Sequence, residues 1–103
     1  MFFVVEIVKT HDGDTVVFTL SGRLDTATAP TLQEVLIPEF DLVKHIILDF
    51  AELNYISSAG LRVFLISEKI AKMSGATQTF RNVSPEIREI FDMTGFSSLL
   101  HIE

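Results

Sequence analysis

The sequence predicts an α/β fold: a mixed β-sheet built from an N-terminal hairpin and following β-α-β-α units, with helices packed on it. Three observations predict it. Asp12-Gly13 separates two runs rich in β-branched and aromatic residues, a strong short-range hairpin signal. Ile46-Ile47-Leu48 is an unalternating apolar run, as a central strand covered on both faces would carry. The stretches that begin at Ser58 and Ser84 have helical spacing, with start and stop residues at their ends.

Taken in order, Phe2 to Val8 is the first strand. The start, Met1 to Val8, is apolar but short, contains Glu6, and lacks a basic region and a cleavage site, so it does not read as a signal peptide. Thr15 to Leu20 is the second strand, closed by Ser21-Gly22. Asp25 to Ile37 is the first helix region. Thr26 or Thr28 can cap it, Pro30 suits its first turn, and Leu32, Val35 and Leu36 share a face before Pro38 ends it. The second helix covers about Ser58 to Met73, with Gly75 as its C-cap. Thr77 to Phe80 is a short strand. Ser84-Pro85-Glu86 starts the third helix, whose Ile87, Ile90, Phe91 and Thr94 fall on one face, and Gly95 stops it. Leu99 to Ile102 either adds a last strand or packs down. The order is ββαβαβα, with right-handed crossovers between the parallel strands.

The chain's 103 residues fit a single domain spanning 1–103. A chain of this size buries roughly 60–70% of its unfolded surface, enough for one core. Cysteine is absent, which excludes disulfides, thiolate metal sites and cysteine nucleophiles. Eight Lys and Arg against 14 Asp and Glu give a net charge of -6, so nucleic acid is not an expected partner. No run approaches the ~20 apolar residues that span a bilayer. The expected location is the cytoplasm.

The stretch from Asp49 to Val63 is the informative one. It reads as a buried strand, a short loop, and a helix entered through Ser57 and Ser58. A serine at such a place normally caps free backbone N–H groups, a contribution of ~1 kcal/mol. With two adjacent serines, one can cap while the other presents its hydroxyl, and the helix N-terminus would stabilise a phosphate there. Small Ala59 and Gly60 leave room for a large partner. At 100° per residue, Ala59, Val63, Ile66, Ile70 and Met73 form an apolar stripe expected to face the sheet, with Leu61, Phe64 and Leu65 outside it. Ser58, Leu61, Arg62, Leu65 and Lys69 share another face, and on periodicity alone that face is equally a docking surface or ordinary packing.

Leu53-x-Tyr55-Ile56-Ser57-Ser58-Ala59-Gly60-Leu61-Arg62 resembles the signature of the STAS domain in bacterial anti-sigma factor antagonists. Gly22-Arg23-Leu24-Asp25 with Ala29-Pro30 resembles that family's loop into its first helix. Asn82-Val83-Ser84-Pro85 through Thr94-Gly95-Phe96 resembles its third helix and exit. The resemblance implies partner switching, not enzyme activity. The unphosphorylated antagonist binds a GHKL-type anti-sigma serine kinase and frees its target, phosphorylation releases it, and a PP2C-type phosphatase resets it. It implies Ser58 as the phosphorylated residue, with Ser57, where many members carry aspartate, as a second candidate. It further implies a partner surface at Asp25, Ser57, Ala59, Gly60, Leu61, Arg62 and Leu65; no cofactor or metal is expected, and a monomer is the default for a chain with a detachable partner. A non-switching STAS scaffold or lipid-transport accessory subunit is the alternative on the same fold.

Other chemistries fit the residues poorly. A Ser-His-Asp hydrolase would need Ser58 with His11, His45 or His101, yet no Gly-x-Ser-x-Gly elbow is present and a loop is expected before the serines. His11, Asp12 and Asp14 sit in what any hairpin turn would show, and no phosphate-cradling glycine loop exists.

Overall fold

The computed structural model describes residues 5–103, so the Phe2–Val4 part of the expected first strand lies outside the described residues. The elements run β1 (Val5–Asp12), β2 (Thr15–Leu24), α1 (Ala29–Leu36), a 3-10 turn (Ile37–Asp41), β3 (His45–Ile56), α2 (Ser58–Ser74), β4 (Thr77–Arg81), α3 (Pro85–Met93), a 3-10 turn (Phe96–Ser98) and β5 (His101–Ile102). The strands lie side by side in chain order. β1 is antiparallel to β2, and the remaining pairs are parallel. When each parallel strand is added on the same side of the last, right-handed crossovers put every helix on one face of the sheet.

That one-sidedness sets the burial pattern. Val16, Phe18 and Leu20 of β2, Ile46, Leu48 and Phe50 of β3, and Phe80 of β4 lie under the helices in a single cluster with Leu32, Leu36, Phe64 and Phe91. Phe50, Phe64, Phe80 and Phe91 form its centre, with ring centroids 5.1 to 6.2 Å apart and mostly tilted or edge-on. The other face carries Thr15, Val17, Thr19, Ile47, Asp49, Thr79 and Arg81, none of them fully buried. β3 is therefore the central strand, as expected, but it is not covered on both faces: Ile47 is only half-buried. An apolar residue at that place shields the middle of the open face and mimics a two-sided strand.

β3 is also much longer than its apolar run. Two register shifts against β2 each give β3 one extra residue: Thr19 pairs Asp49 while Ser21 pairs Glu52, and Gly22 pairs Leu53 while Arg23 pairs Tyr55. Burial accordingly steps by two through Ile46, Leu48 and Phe50, then by three to Leu53 and Ile56. The broken alternation makes Ala51–Ile56 look like loop. Asp49 stabilises the first bulge, accepting from the Ala51 N–H at 3.0 Å, the Asn82 amide at 3.1 Å and Arg81 Nε at 3.2 Å. Gly22, at φ +94°, supplies the left-handed residue beside the second.

The helix ends follow local chemistry. Ser84 Oγ accepts from the Ile87 N–H, and Gly75 and Gly95 take left-handed conformations after α2 and α3. At α1 the expected caps are corrected. Thr28 occupies the cap position without a side-chain cap bond, and Asp25 accepts from the Ala27 and Thr28 N–H groups instead. Val35, expected on the buried face, is 37% exposed. Pro38 ends α1 but begins no loop. A 3-10 turn follows and places Phe40 and Glu39 inside.

The rotation of α2 differs from the sequence reading. Its buried line is Gly60, Val63, Phe64, Ser67 and Ala71, with Leu61 alongside, whereas Met73 is 86% exposed and Ala59, Ile66 and Ile70 are half-buried. Small Gly60, Ser67 and Ala71 let the helix approach the sheet, and that closeness outweighs the hydrophobicity of the rival stripe. Buried Ser67 is satisfied by the Phe64 carbonyl at 3.0 Å and Gln78 Oε1 at 2.7 Å.

The edge strand β1 turns Lys9 and His11 toward the helices, where they hold the buried Glu39 carboxylate at 2.8 and 3.0 Å. Burial pushes the Glu39 carboxyl up, but the Lys9 and His11 hydrogen bonds and charges outweigh it and hold it low. Asp49 shows the same balance: burial raises it, while the Ala51 N–H, Asn82 and Arg81 bring it below its ordinary value.

Three outcomes follow. A methyl group on Gly60 would meet Ile56 Cγ1 and Leu24 Cδ2 and Cγ at 2.9 Å. Gly60→Ala should therefore destabilise the fold by about 1–3 kcal/mol in urea unfolding, overriding alanine's helix preference of about 1 kcal/mol. Lowered folded-state pKa values at Glu39 and Asp49 mean that their stabilisation is present above the unfolded carboxylate values and lost as the pH falls through the folded ones. Unfolding free energy should be flat from pH 7 to 5 and drop below roughly pH 4, and Lys9→Ala, which leaves Glu39 poorly partnered, should cost about 1–2 kcal/mol at pH 7.

Candidate functional site

The site forms where the C-terminal ends of β2 and β3 meet the first turn of α2. Leu24 pairs with Ile56, and the Leu24 carbonyl accepts the Ser57 N–H at 2.8 Å. This bond ties the residue before Asp25 to the serine pair. β3 runs to Ile56 and α2 starts at Ser58, so a sharp strand-to-helix turn stands where a loop was expected.

The two serines divide the roles. Ser57 is the N-cap, with extended backbone, and its Oγ accepts from the Gly60 N–H at 3.4 Å. Ser58 is the first helical residue and its side chain is exposed. It borders an open depression of about 460 Å³ shared with Leu61, Arg62, Leu65, Thr94 and Phe96. Leu61 is 6% exposed, so it belongs mainly to the core and shows the depression only an edge, while Arg62 is exposed and Leu65 half-buried. Gly60 is buried and Ala59 half-buried. Gly60 acts through the space it leaves beside Leu24 and Ile56.

Asp25 stands at the same mouth. Its Oδ1 accepts from the Thr28 and Ala27 N–H groups, each at 3.0 Å, and lies 3.1 Å from the Thr28 hydroxyl; Arg23 Nε is 3.8 Å from Oδ2. The Thr28 backbone bond is the main reason its carboxyl is held below the usual carboxylate range, outweighing the opposing effect of burial. Asp25 is therefore a fixed negative charge at neutral pH. Arg23 also lies over the Tyr55 ring, 4.1 Å from its centroid, a pairing set by the register that opposes Arg23 to Tyr55 across β2 and β3.

The structure thus brings Asp25, Ser57, Ser58 and Arg62 to one end of the sheet, with Leu65 farther along the α2 face. It adds Arg23, Tyr55, Thr94 and Phe96, which sequence reasoning did not place at the site. Arg23 and Tyr55 lie within two residues of Asp25 and Ser57, but only the register after the second bulge sets them opposite each other, and Thr94 and Phe96 come in from the distant end of α3. The histidines lie elsewhere. His11 and His45 are at the hairpin end of the sheet, and His101 pairs with Thr79 in the middle of β4. Ser58 follows the opposite end of β3, so among the described residues it has no histidine partner, whatever the sharpness of its turn. No group of His, Asp and Glu able to hold a metal occurs among the described residues, and no helix there is long and apolar enough to cross a membrane.

Known proteins share this architecture and sequence. The anti-sigma-B factor antagonist of Bacillus subtilis (strain 168) is 30% identical over 95 residues, covering 92% of this chain and 86% of that protein. The anti-sigma factor antagonist SpoIIAA in its unphosphorylated form superposes with a TM-score of 0.81 at 21% identity, over 95% of this chain and 88% of that one. The phosphorylated form of SpoIIAA from Bacillus gives a TM-score of 0.76 at 21% identity, over 95% and 91%. At such identity the two structures establish the shared fold. The family model for the STAS domain matches residues 6–103, and the chain belongs to the STAS domain family.

Proposed function

We propose that this protein is an anti-sigma factor antagonist that works by partner switching, with Ser58 as the switch. In this reading the unphosphorylated chain binds a GHKL-type anti-sigma serine kinase through the surface around Asp25, Ser57, Ser58, Arg62 and Leu65, and so frees the kinase's target. The kinase transfers the γ-phosphoryl group of ATP to Ser58 Oγ, ADP leaves, and the complex separates. A PP2C-type phosphatase hydrolyses the ester and restores binding. The relatives' names support the regulatory role. The observation that carries the mechanism is the division of labour between the serines: Ser57 is spent on the helix cap, and Ser58 is left exposed at the helix mouth.

Physical chemistry makes the modification effective without refolding. A phosphate adds about -1.5 to -2 charges at neutral pH. The α2 N-terminus, with its free N–H groups and positive dipole end, tolerates that charge locally. Inside an interface the same group must shed water and face Asp25, whose carboxyl stays ionised. A loss of tenfold per 1.4 kcal/mol makes a few such unfavourable contacts sufficient for release.

Incubation with a GHKL-type anti-sigma kinase and ATP, followed by mass mapping, should find one phosphate on Ser58 and none on Ser58→Ala. In calorimetric titration with that kinase, Ser58→Ala should bind as the unmodified protein does, and Ser58→Asp at least 100-fold more weakly. Equal affinities for the two variants would overturn the switch and leave a non-switching scaffold. A phosphate mapped to Ser57 would move the switch by one residue.

A further inference from the structure

The depression beside Ser58 does not end there. Leu65 borders both it and a second hollow lined by Glu68, Lys69, Lys72 and Leu99, so a groove follows one face of α2 from its first turn to its last. The steps from Ser58 through Arg62, Leu65, Lys69 and Lys72 are four, three, four and three residues, which keeps them on one helical face. The floor is apolar: Leu65 and Phe96 are half-buried and Leu99 is 53% exposed.

The rim is cationic in a chain of net charge -6. Of its eight Lys and Arg, Lys9, Arg23, Arg81 and Arg88 are engaged by Glu39, Asp25, Asp49 and Asp92. Among the described residues the four others, Lys44, Arg62, Lys69 and Lys72, make no ion pair, and three of these four line this groove. The one carboxylate in it, Glu68, is engaged by the Gln78 amide at 3.2 Å. The helix dipole favours a cation in the last turn of α2 at any point of its circumference. It does not account for Arg62, one turn from the positive end, or for the alignment of all three beside exposed leucine.

We propose that this groove is the docking track for an acidic amphipathic helix of the partner kinase. The inference rests on the partner-switching reading and deepens it by naming the chemistry of the bound segment. Ser58 and Lys72 are fourteen positions apart, about 21 Å along the axis, which matches a helix of about four turns lying alongside. Its apolar side sits on Leu65, Phe96 and Leu99, and its carboxylates meet Arg62, Lys69 and Lys72. Phosphorylation then acts at the end of the track. A phosphate on Ser58 lies one helical turn from Arg62, takes that cation for itself, and repels the partner's first carboxylate.

The test uses the full chain and the GHKL-type kinase that binds the Ser58→Ala variant. Lys69→Glu with Lys72→Glu, at two exposed positions far from Ser58, should weaken binding at least 30-fold in 50 mM salt. The double variant should also lose most of the salt dependence seen with the parent between 50 and 300 mM. Lys44→Glu, which removes the remaining unpaired cation at the other end of the sheet, should stay within twofold. Parent-like affinity of the double variant, with Ser58→Asp still weakened, would overturn the groove and leave the switch intact. An equal loss with Lys44→Glu would reduce the effect to net charge and overturn it too. Binding of the parent, but not the double variant, to phosphatidylglycerol vesicles, with kinase affinity unchanged, would reassign the track to a membrane surface. Failure of Ser58→Ala to bind any such kinase would overturn the switch, and this inference with it.

Discussion

Much of this molecule depends on how closely the first turn of α2 sits on the ends of β2 and β3. Leu24 and Ile56 meet across the two strands, the Leu24 carbonyl holds the Ser57 N–H, and Gly60 has no side chain because both neighbours occupy the space a Cβ would need. That contact fixes the start of the helix. Through it come the cap at Ser57, the outward aim of Ser58, and the line of small residues, Gly60, Ser67 and Ala71, along which α2 packs over the aromatic cluster. A larger residue at 60 would disturb the core and the serine pair together, since the same turn serves both.

The bulges in β3 do related work. Each lets the strand gain a residue on its neighbour, so the C-terminal end turns further than β2 does and delivers Tyr55 opposite Arg23 and Ile56 opposite Leu24. Asp49 secures the first bulge with three donors and Gly22 accommodates the second. The functional end of the sheet is thus irregular, while the hairpin end keeps regular pairing. The cluster of Lys9, His11 and Glu39 secures the far edge, turning the Lys9 charge inward on an edge strand, a placement that discourages pairing with other chains.

Charge is unevenly distributed over the molecule. Half of the Lys and Arg side chains are engaged by the chain's own carboxylates, and most of the rest line one helix face, so a chain with a net negative charge presents a locally positive track. In the proposed switch, one phosphate at the end of that track changes the local balance far more than it changes the total.

The sequence by itself determined what short-range chemistry decides. Ser57 and Ser58 at a helix start, Ser84-Pro85, Gly75, Gly95 and Asp12-Gly13 mark their elements because caps and turns are made by residues within four positions of each other. Three separated motifs, around Gly22 to Asp25, Leu53 to Arg62 and Asn82 to Phe96, carry the family resemblance in the sequence alone. Only the tertiary structure decided the rest. It rotated α2 onto a line containing glycine, serine and alanine, because close approach to the sheet favours small residues that a hydrophobicity pattern does not count. It turned an apparent loop into the end of β3, because bulges break the two-residue period. It joined Glu39 to Lys9 and His11, and Ser58 to Thr94 and Phe96, because these partners lie about 30 positions or more apart and meet only when the sheet is assembled.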